Sequence, residues 1–209
     1  MSARAPWVEE LLDALREALT ALDPAGLVER TLPDEPATSG RVGLLAVGKA
    51  AHAMARGAVR RWRHRIEDGL VVAPVGTSQT PGLPTSLRLY LAGHPIPDEQ
   101  SVAAAEQALT LASGLGPGDL LLALISGGAS ALLSAPPTGV PLGDKRALVA
   151  AMLDAGAPIQ EVNLVRRHFS RVKGGRVAAA AAPAAALTLI VSDVIGGLPH
   201  DIGSGPTVP

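Results

Sequence analysis

Apolar and polar positions follow two rhythms along the chain. Over residues 7–22, Val8, Leu11, Leu12, Leu15 and Leu19 recur at helical spacing while charges fill the other face, which predicts an amphipathic helix. A second short helix is predicted over residues 24–30, and the polar, proline-containing stretch 33–40 reads as a loop. The rhythm then changes. Short apolar runs appear at 42–47, 69–73, 86–91, 120–125 and 187–192. Helical stretches are predicted at 50–62, 101–113, 143–155, 159–169 and 175–182, the last stopped by Pro183. Asp98 and Glu99 suit the amino end of the helix over 101–113. Short apolar runs alternating with helices predict an α/β domain. Runs apolar on both faces fit strands of a parallel sheet covered by helices on each side. We expect one α/β domain over residues 41–209, with the helices of residues 1–40 packed on its outside.

In an open parallel sheet, ligands bind beyond the carboxyl ends of the strands. Four of the five runs end in glycine beside a functional group. Gly48-Lys49 follows the first, Gly93-His94-Pro95 the third, Ser126-Gly127-Gly128-Ala129-Ser130 the fourth, and Ser192-Asp193 with Gly196-Gly197 the fifth. The second ends in Ala73-Pro74 and offers nothing comparable. Gly127 and Gly128 let the backbone approach a ligand and adopt positive φ. Successive amides entering a helix, with the Ser126 and Ser130 hydroxyls, make a candidate pocket for a phosphate or a carboxylate; the plainer alternative is a tight strand-to-helix turn.

The other loops carry similar pairs of readings. Lys49 opposes the dipole of the helix it precedes, which suits a lysine that reaches a phosphate or one that is simply solvated. Asp193 can bind Mg²⁺, accept a hydroxyl proton or cap the next turn. His94, between Gly93 and Pro95, contacts substrate or holds its turn. In the basic stretch 163–176, Lys173 beside Gly174 and Gly175 is a second candidate anion contact, whereas its arginines read as a solvated face.

Composition acts by exclusion. The formal net charge of -1 gives no basic surface for nucleic acid or anionic membrane. Without cysteine there is no disulfide, thiolate metal site or cysteine nucleophile. Glu9, Glu10 and Asp13 interrupt any apolar signal core, and no run approaches a membrane span, so a cytoplasmic protein is expected. Gly48-Lys49 lacks the spacing of a P-loop, and neither GxGxxG nor GxSxG is present.

Five stretches, "AVGKAAHAM", "GHPIPDEQS", "LISGGASALLSAP", "NLVRRHFSRVKGGR" and "IVSDVIGGLPHDIGSGPTVP", resemble the glycerate 2-kinase family of the two-domain bacterial and archaeal type, in order and with family-like spacing. Some of its members are labelled hydroxypyruvate reductases. The resemblance implies a three-layer Rossmann-like amino-terminal domain with a mainly parallel sheet. It implies transfer of the ATP γ-phosphoryl group to the 2-hydroxyl of D-glycerate, with Mg²⁺. By position, Lys49 matches the lysine thought to be catalytic, the 126–130 loop (Ser126, Gly127, Gly128, Ala129, Ser130) faces the cleft between the substrates, and Lys173 and Asp193 match polar cleft residues. Asp193 would orient the 2-hydroxyl or hold the metal. Family members are about twice as long, so a second domain is expected to be missing here, supplied by a complementing chain or accompanied by a homodimer. The alternatives are a hydroxypyruvate reductase and a non-catalytic anion-binding module that needs a partner half.

Overall fold

Strand β1, Val42–Val47, is buried along its whole length, as a central strand covered on both faces must be. The protein is seen in a computed structural model that describes residues 6–77, 82–192 and 194–209. The other strands are β2 (Ile66–Pro74), β3 (Leu87–Ala92), β4 (Leu120–Ser126) and β5 (Ala185–Val191). They form one sheet in the order β3-β2-β1-β4-β5, and every neighbouring pair is parallel. The expected α/β class with a parallel sheet is thus the observed one. β2 starts earlier than its apolar run because exposed Glu67 and Asp68 extend the ladder, across a register shift opposite Val42 and Gly43.

Alternate residues of the central strands point into two cores. Val42, Leu44, Ala46, Leu122 and Leu124 pack with Met54 and Trp62 of α3 (Ala51–Trp62) and with Val28 of α2 (Pro24–Thr31). Leu45, Val47, Leu121, Ala123 and Ile125 pack with Ala104, Ala105 and Ala108 of α4 (Glu99–Ser113) and with Val177 of α8 (Arg176–Ala181). Helices therefore cover both faces of the sheet, giving three layers. The alanines let α4 lie close to the strands. Asp119 ties the amino ends of β1 and β4 by accepting from the amides of Arg41 (2.8 Å) and Gly116 (2.9 Å).

Three further helices follow β4: α5 (Ala129–Leu132), α6 (Leu142–Asp154) and α7 (Ile159–His168). A 3-10 turn, Pro199–Ser204, was not apparent from the sequence, nor was α5 as a separate element. Both are too short to show a hydrophobic period. Among the described residues, no helix is long and apolar enough to cross a membrane.

The first helices part company. α2 packs on α3, capped by Asp23, whose carboxylate accepts from the Ala25 and Gly26 amides. α1 (Pro6–Ala21) departs from the expected packing: Trp7, Leu11, Leu15 and Leu19 on its apolar stripe are exposed. Its stripe is amphipathic, as the spacing predicts, but the described residues do not cover it. Truncation should therefore read very differently in the two places. Leu44→Ala, at a fully buried site, should lower unfolding free energy by about 2–5 kcal/mol, and Leu15→Ala by less than about 0.5 kcal/mol. Urea unfolding of both variants checks the contrast.

Candidate functional site

The carboxyl ends of β1 and β4 lie side by side at the point where the connections diverge to opposite ends of the sheet. Gly48 follows β1 with φ at 130°, and a Cβ there would collide with the hydroxyl and carbonyl oxygens of Ser126. Glycine is what lets the two loops touch. They are then stitched together. The Lys49 amide donates to the Gly127 carbonyl at 2.9 Å. The Ala50 amide donates to Ser126 Oγ at 3.1 Å, which satisfies an otherwise orphaned group at the start of α3. Ser126 is only 2% exposed. Its hydroxyl joins the two loops, whereas the sequence suggested a donor aimed at a ligand.

Above this seam three groups face one another. Gly128 has φ at 87°, and a Cβ there would lie 3.0 Å from His94 Cδ2, 3.1 Å from His94 Nε2 and 3.3 Å from Lys49 Cγ. Lys49, His94 and the glycine turn therefore share one small volume, with both side chains exposed. The amides of Gly127 and Gly128 donate to no carbonyl among the described residues. His94 is positioned by its loop. Asp98 caps α4, accepting from the Ser101 amide at 2.9 Å while its own amide donates to Ser101 Oγ at 3.0 Å. Burial works against the Asp98 carboxylate, but the Gly93 and Ser101 amides outweigh it and lower its pKa. An ammonium, an imidazole and two amides that donate to no carbonyl of the described residues can together hold an oxyanion. A cleft of about 110 Å³ between Gly43, Asp68 and Thr110 lies at the opposite, amino ends of the strands and carries none of this chemistry.

Two of the remaining predicted residues have other surroundings. Ala129 is fully buried, and Ser130 Oγ shares a 2.7 Å hydrogen bond with Ser204 Oγ. Asp193 lies outside the described residues.

Lys173 departs from its expected part as a contact for an anion. It is 1% exposed, and its Nζ donates to the carbonyls of Ser130 (2.9 Å), Leu133 (3.1 Å) and Gly203 (3.4 Å). Burial, then the charges of Lys145 and Arg166, push its pKa well below the usual lysine value. The three carbonyls match the three N–H donors of an ammonium and oppose that shift. Lys173 thus supports the 126–130 loop from behind. A basic run normally signals a solvated face, so nothing in the sequence turned this side chain inward.

The sequence also gave no prominence to Ser204, Lys145 or Arg166. Ser204 is buried with φ at 61°, a conformation that non-glycine residues seldom adopt. Lys145 is 5% exposed, and burial followed by the Arg166 charge lowers its pKa from 10.5 to about 8. One signal was available: Lys145 lies three residues after Leu142 and four before Val149, on the inward stripe of α6.

A doubly wound parallel sheet with polar groups gathered at the switch point defines the class: a Rossmann-ordered α/β domain with a candidate ligand site at its strand ends. Within that class, the chain belongs to the family described as Domain of unknown function (DUF4147), whose profile matches residues 10–209. It is 39% identical over 198 residues to a protein of Thermotoga maritima named D-glycerate 2-kinase, covering 95% of this chain and 46% of that one. The crystal structure of glycerate kinase from Thermotoga maritima superposes with a TM-score of 0.89 at 39% identity, over 95% of this chain and 47% of that chain. A protein of Agrobacterium vitis, provisionally named a hydroxypyruvate reductase, is 44% identical over 91% of this chain and 42% of its own length. The chain spans less than half the length of these relatives.

Lys145 gives the domain a pH signature. The unfolded chain keeps this proton up to the ordinary lysine pKa of 10.5, the folded chain only up to about 8. The unfolded state therefore binds more protons between those values, and stability rises with pH across that window. The Lys145 contribution to the rise is roughly 3 kcal/mol, and it should be absent in Lys145→Met, which keeps only the part due to Lys173, whose pKa is also depressed. Urea unfolding of both proteins on either side of the window measures it; parallel stability curves would contradict it.

Proposed function

We propose that this chain is the Rossmann-like half of a glycerate 2-kinase, which transfers the γ-phosphoryl group of ATP to the 2-hydroxyl of D-glycerate. The observation that carries the reading is the convergence of Lys49, His94 and Gly128 at the switch point. The kinase names of relatives with 39% identity support it. In this reaction the 2-hydroxyl oxygen forms a bond to the γ-phosphorus, and the bond from that phosphorus to the β,γ-bridging oxygen breaks. The hydroxyl proton passes to a base, and ADP leaves. The protein's task is positioning and charge stabilisation.

In this reading Lys49, exposed at the centre of the site, neutralises charge on the transferring phosphoryl group or holds the glycerate carboxylate. The Gly127 and Gly128 amides hold an anionic oxygen. His94 closes the site from the β3 side, in reach of the same substrate. Asp193 is the candidate to orient the 2-hydroxyl or to ligate Mg²⁺. Among the described residues no three histidine or carboxylate groups gather into a metal cage; Asp193, the candidate ligand, lies outside them. A reaction that draws on ATP is compatible with the expected cytoplasmic location.

The strand-end groups lie on an open face. Open to water, each charge contact is worth far less than in a closed cleft. The relatives' extra length, in cis or as a separate chain, is the natural lid, and the exposed stripe of α1 is a further surface for it or for a second copy. A reductase would need a dinucleotide pocket, and the turn after β1 carries Gly48-Lys49 without the glycine fingerprint.

A coupled assay tests the reading: ADP release with D-glycerate, against NADH oxidation with hydroxypyruvate, with and without the carboxyl-terminal half of a relative. The expected outcome is slow ADP release by the chain alone, raised by orders of magnitude when the second half is added. Lys49→Ala should lower that turnover at least about tenfold, some 1.4 kcal/mol of barrier, with unchanged urea unfolding. NADH oxidation without ADP release would replace the kinase by the reductase.

A further inference from the structure

The helix pair α6–α7 carries charge where helix pairs usually carry aliphatic side chains. Lys145 sits on the inward stripe of α6, buried, and its ammonium nitrogen has no hydrogen-bond partner among the described residues. Its neighbour Arg146 also leaves Nε buried and unpartnered. From α7, which packs on α6, half-buried Arg166 makes a 3.4 Å bond to Asn163 Oδ1 and no other among the described residues. Among the described residues no carboxylate pairs with Lys145, Arg146 or Arg166.

An uncompensated buried ammonium is costly, and an aliphatic side chain of similar size would be more stable in its place. Here the cost is compounded, because Lys145 and Arg166 repel each other and both bear on Lys173. What this arrangement lacks is negative charge. An oxyanion would meet the unpartnered Lys145 ammonium of α6 and the Arg166 guanidinium of α7 in charge-assisted hydrogen bonds. The place is also adjacent to the strand-end site: Lys173, which feels both cations, holds the Ser130 carbonyl of the glycine loop. A cleft of about 570 Å³, lined by Glu99, Pro137, Pro141, Leu142 and Arg171, opens at the amino end of α6; Lys145 and Arg166 lie outside its lining.

We propose that Lys145 and Arg166 form an oxyanion subsite next to the glycine loop, receiving either the carboxylate of the hydroxy acid or the phosphate oxygens of the nucleotide. The choice of these two ligands rests on the kinase reading; the subsite itself rests on the buried, unpaired donors. An oxyanion seated there removes the electrostatic penalty of Lys145, so ligand binding and folding are coupled through this side chain.

The test is calorimetric titration of the 209-residue chain with inorganic phosphate, D-glycerate and ADP, in wild type, Lys145→Met, Arg166→Gln and Lys145→Arg. At least one probe should bind wild type. Lys145→Met and Arg166→Gln should each weaken it at least about tenfold, while Lys145→Arg retains most of the affinity. Circular dichroism checks folding, and half-buried Arg166→Gln carries the test if Lys145→Met does not fold. Weakening seen with D-glycerate identifies the carboxylate as the source of the oxyanion, and weakening seen with ADP identifies the phosphates. Binding of inorganic phosphate alone, lost in the variants, upholds the subsite and removes both kinase ligands from it. Unchanged affinity in both variants, or no binding of any probe to wild type, overturns the subsite. The kinase reading is judged separately by ADP release.

Discussion

The buried ammonium of Lys173 is the constraint on which the site depends. It draws together the carbonyls of Ser130 and Leu133, in and just after α5, and the carbonyl of Gly203 in the 3-10 turn. A helix as short as α5 has orphaned carbonyls along most of its length, and without a donor they would need water. Beside Lys173 the backbone is zipped to the same turn: the Gly174 amide donates to the Ser204 carbonyl at 3.1 Å, and the Gly175 amide to the Gly205 carbonyl at 2.8 Å. Ser204, held at φ 61°, completes the knot through its hydroxyl bond to Ser130. Each unsatisfied buried carbonyl would cost about 1–3 kcal/mol, so this one side chain decides whether the loop is a fixed cradle or a mobile turn.

On the other side of the 126–130 loop stands the seam with β1. Gly48 permits the approach, the Lys49 amide and Ser126 hydroxyl close it, and Gly128 leaves room for Lys49 and His94. The loop is thus gripped from below by the sheet and from behind by Lys173. Rigid elements on both sides leave the Lys49 and His94 side chains exposed, an arrangement that suits the positioning role proposed for them. Lys145 and Arg166, which pair with no carboxylate among the described residues, lie beyond the same buttress, so the costly electrostatics and the preorganised loop form one continuous region.

Much of this was legible because physics writes it directly into the chain. β1 is apolar without alternation, which only a doubly covered strand tolerates, and its predicted and observed limits coincide. Strand-end glycines beside functional groups pointed to one edge of the sheet, and Lys49, His94 and Gly128 lie close together there. What could not be read follows equally physical lines. Ser126 and Lys173 are polar residues whose partners are distant in sequence, so their structural tasks depend on tertiary contacts that no local pattern encodes. α5 and the 3-10 turn are shorter than the window in which periodicity shows. The α1 stripe predicted a helix correctly but carried no information about what it packs against.

The most direct test of the buttress is amide hydrogen exchange of Lys173→Met against wild type, resolved by residue. The account predicts that the amides of Leu133, Gly174, Gly175 and Gly205 exchange at least about tenfold faster in the variant, beyond any change shared by the whole domain. The amides of Leu45 and Leu122 at the sheet centre should change only by that shared amount. Equal protection of the loop and turn amides in both proteins would contradict the account and show that the cradle stands without its buried lysine.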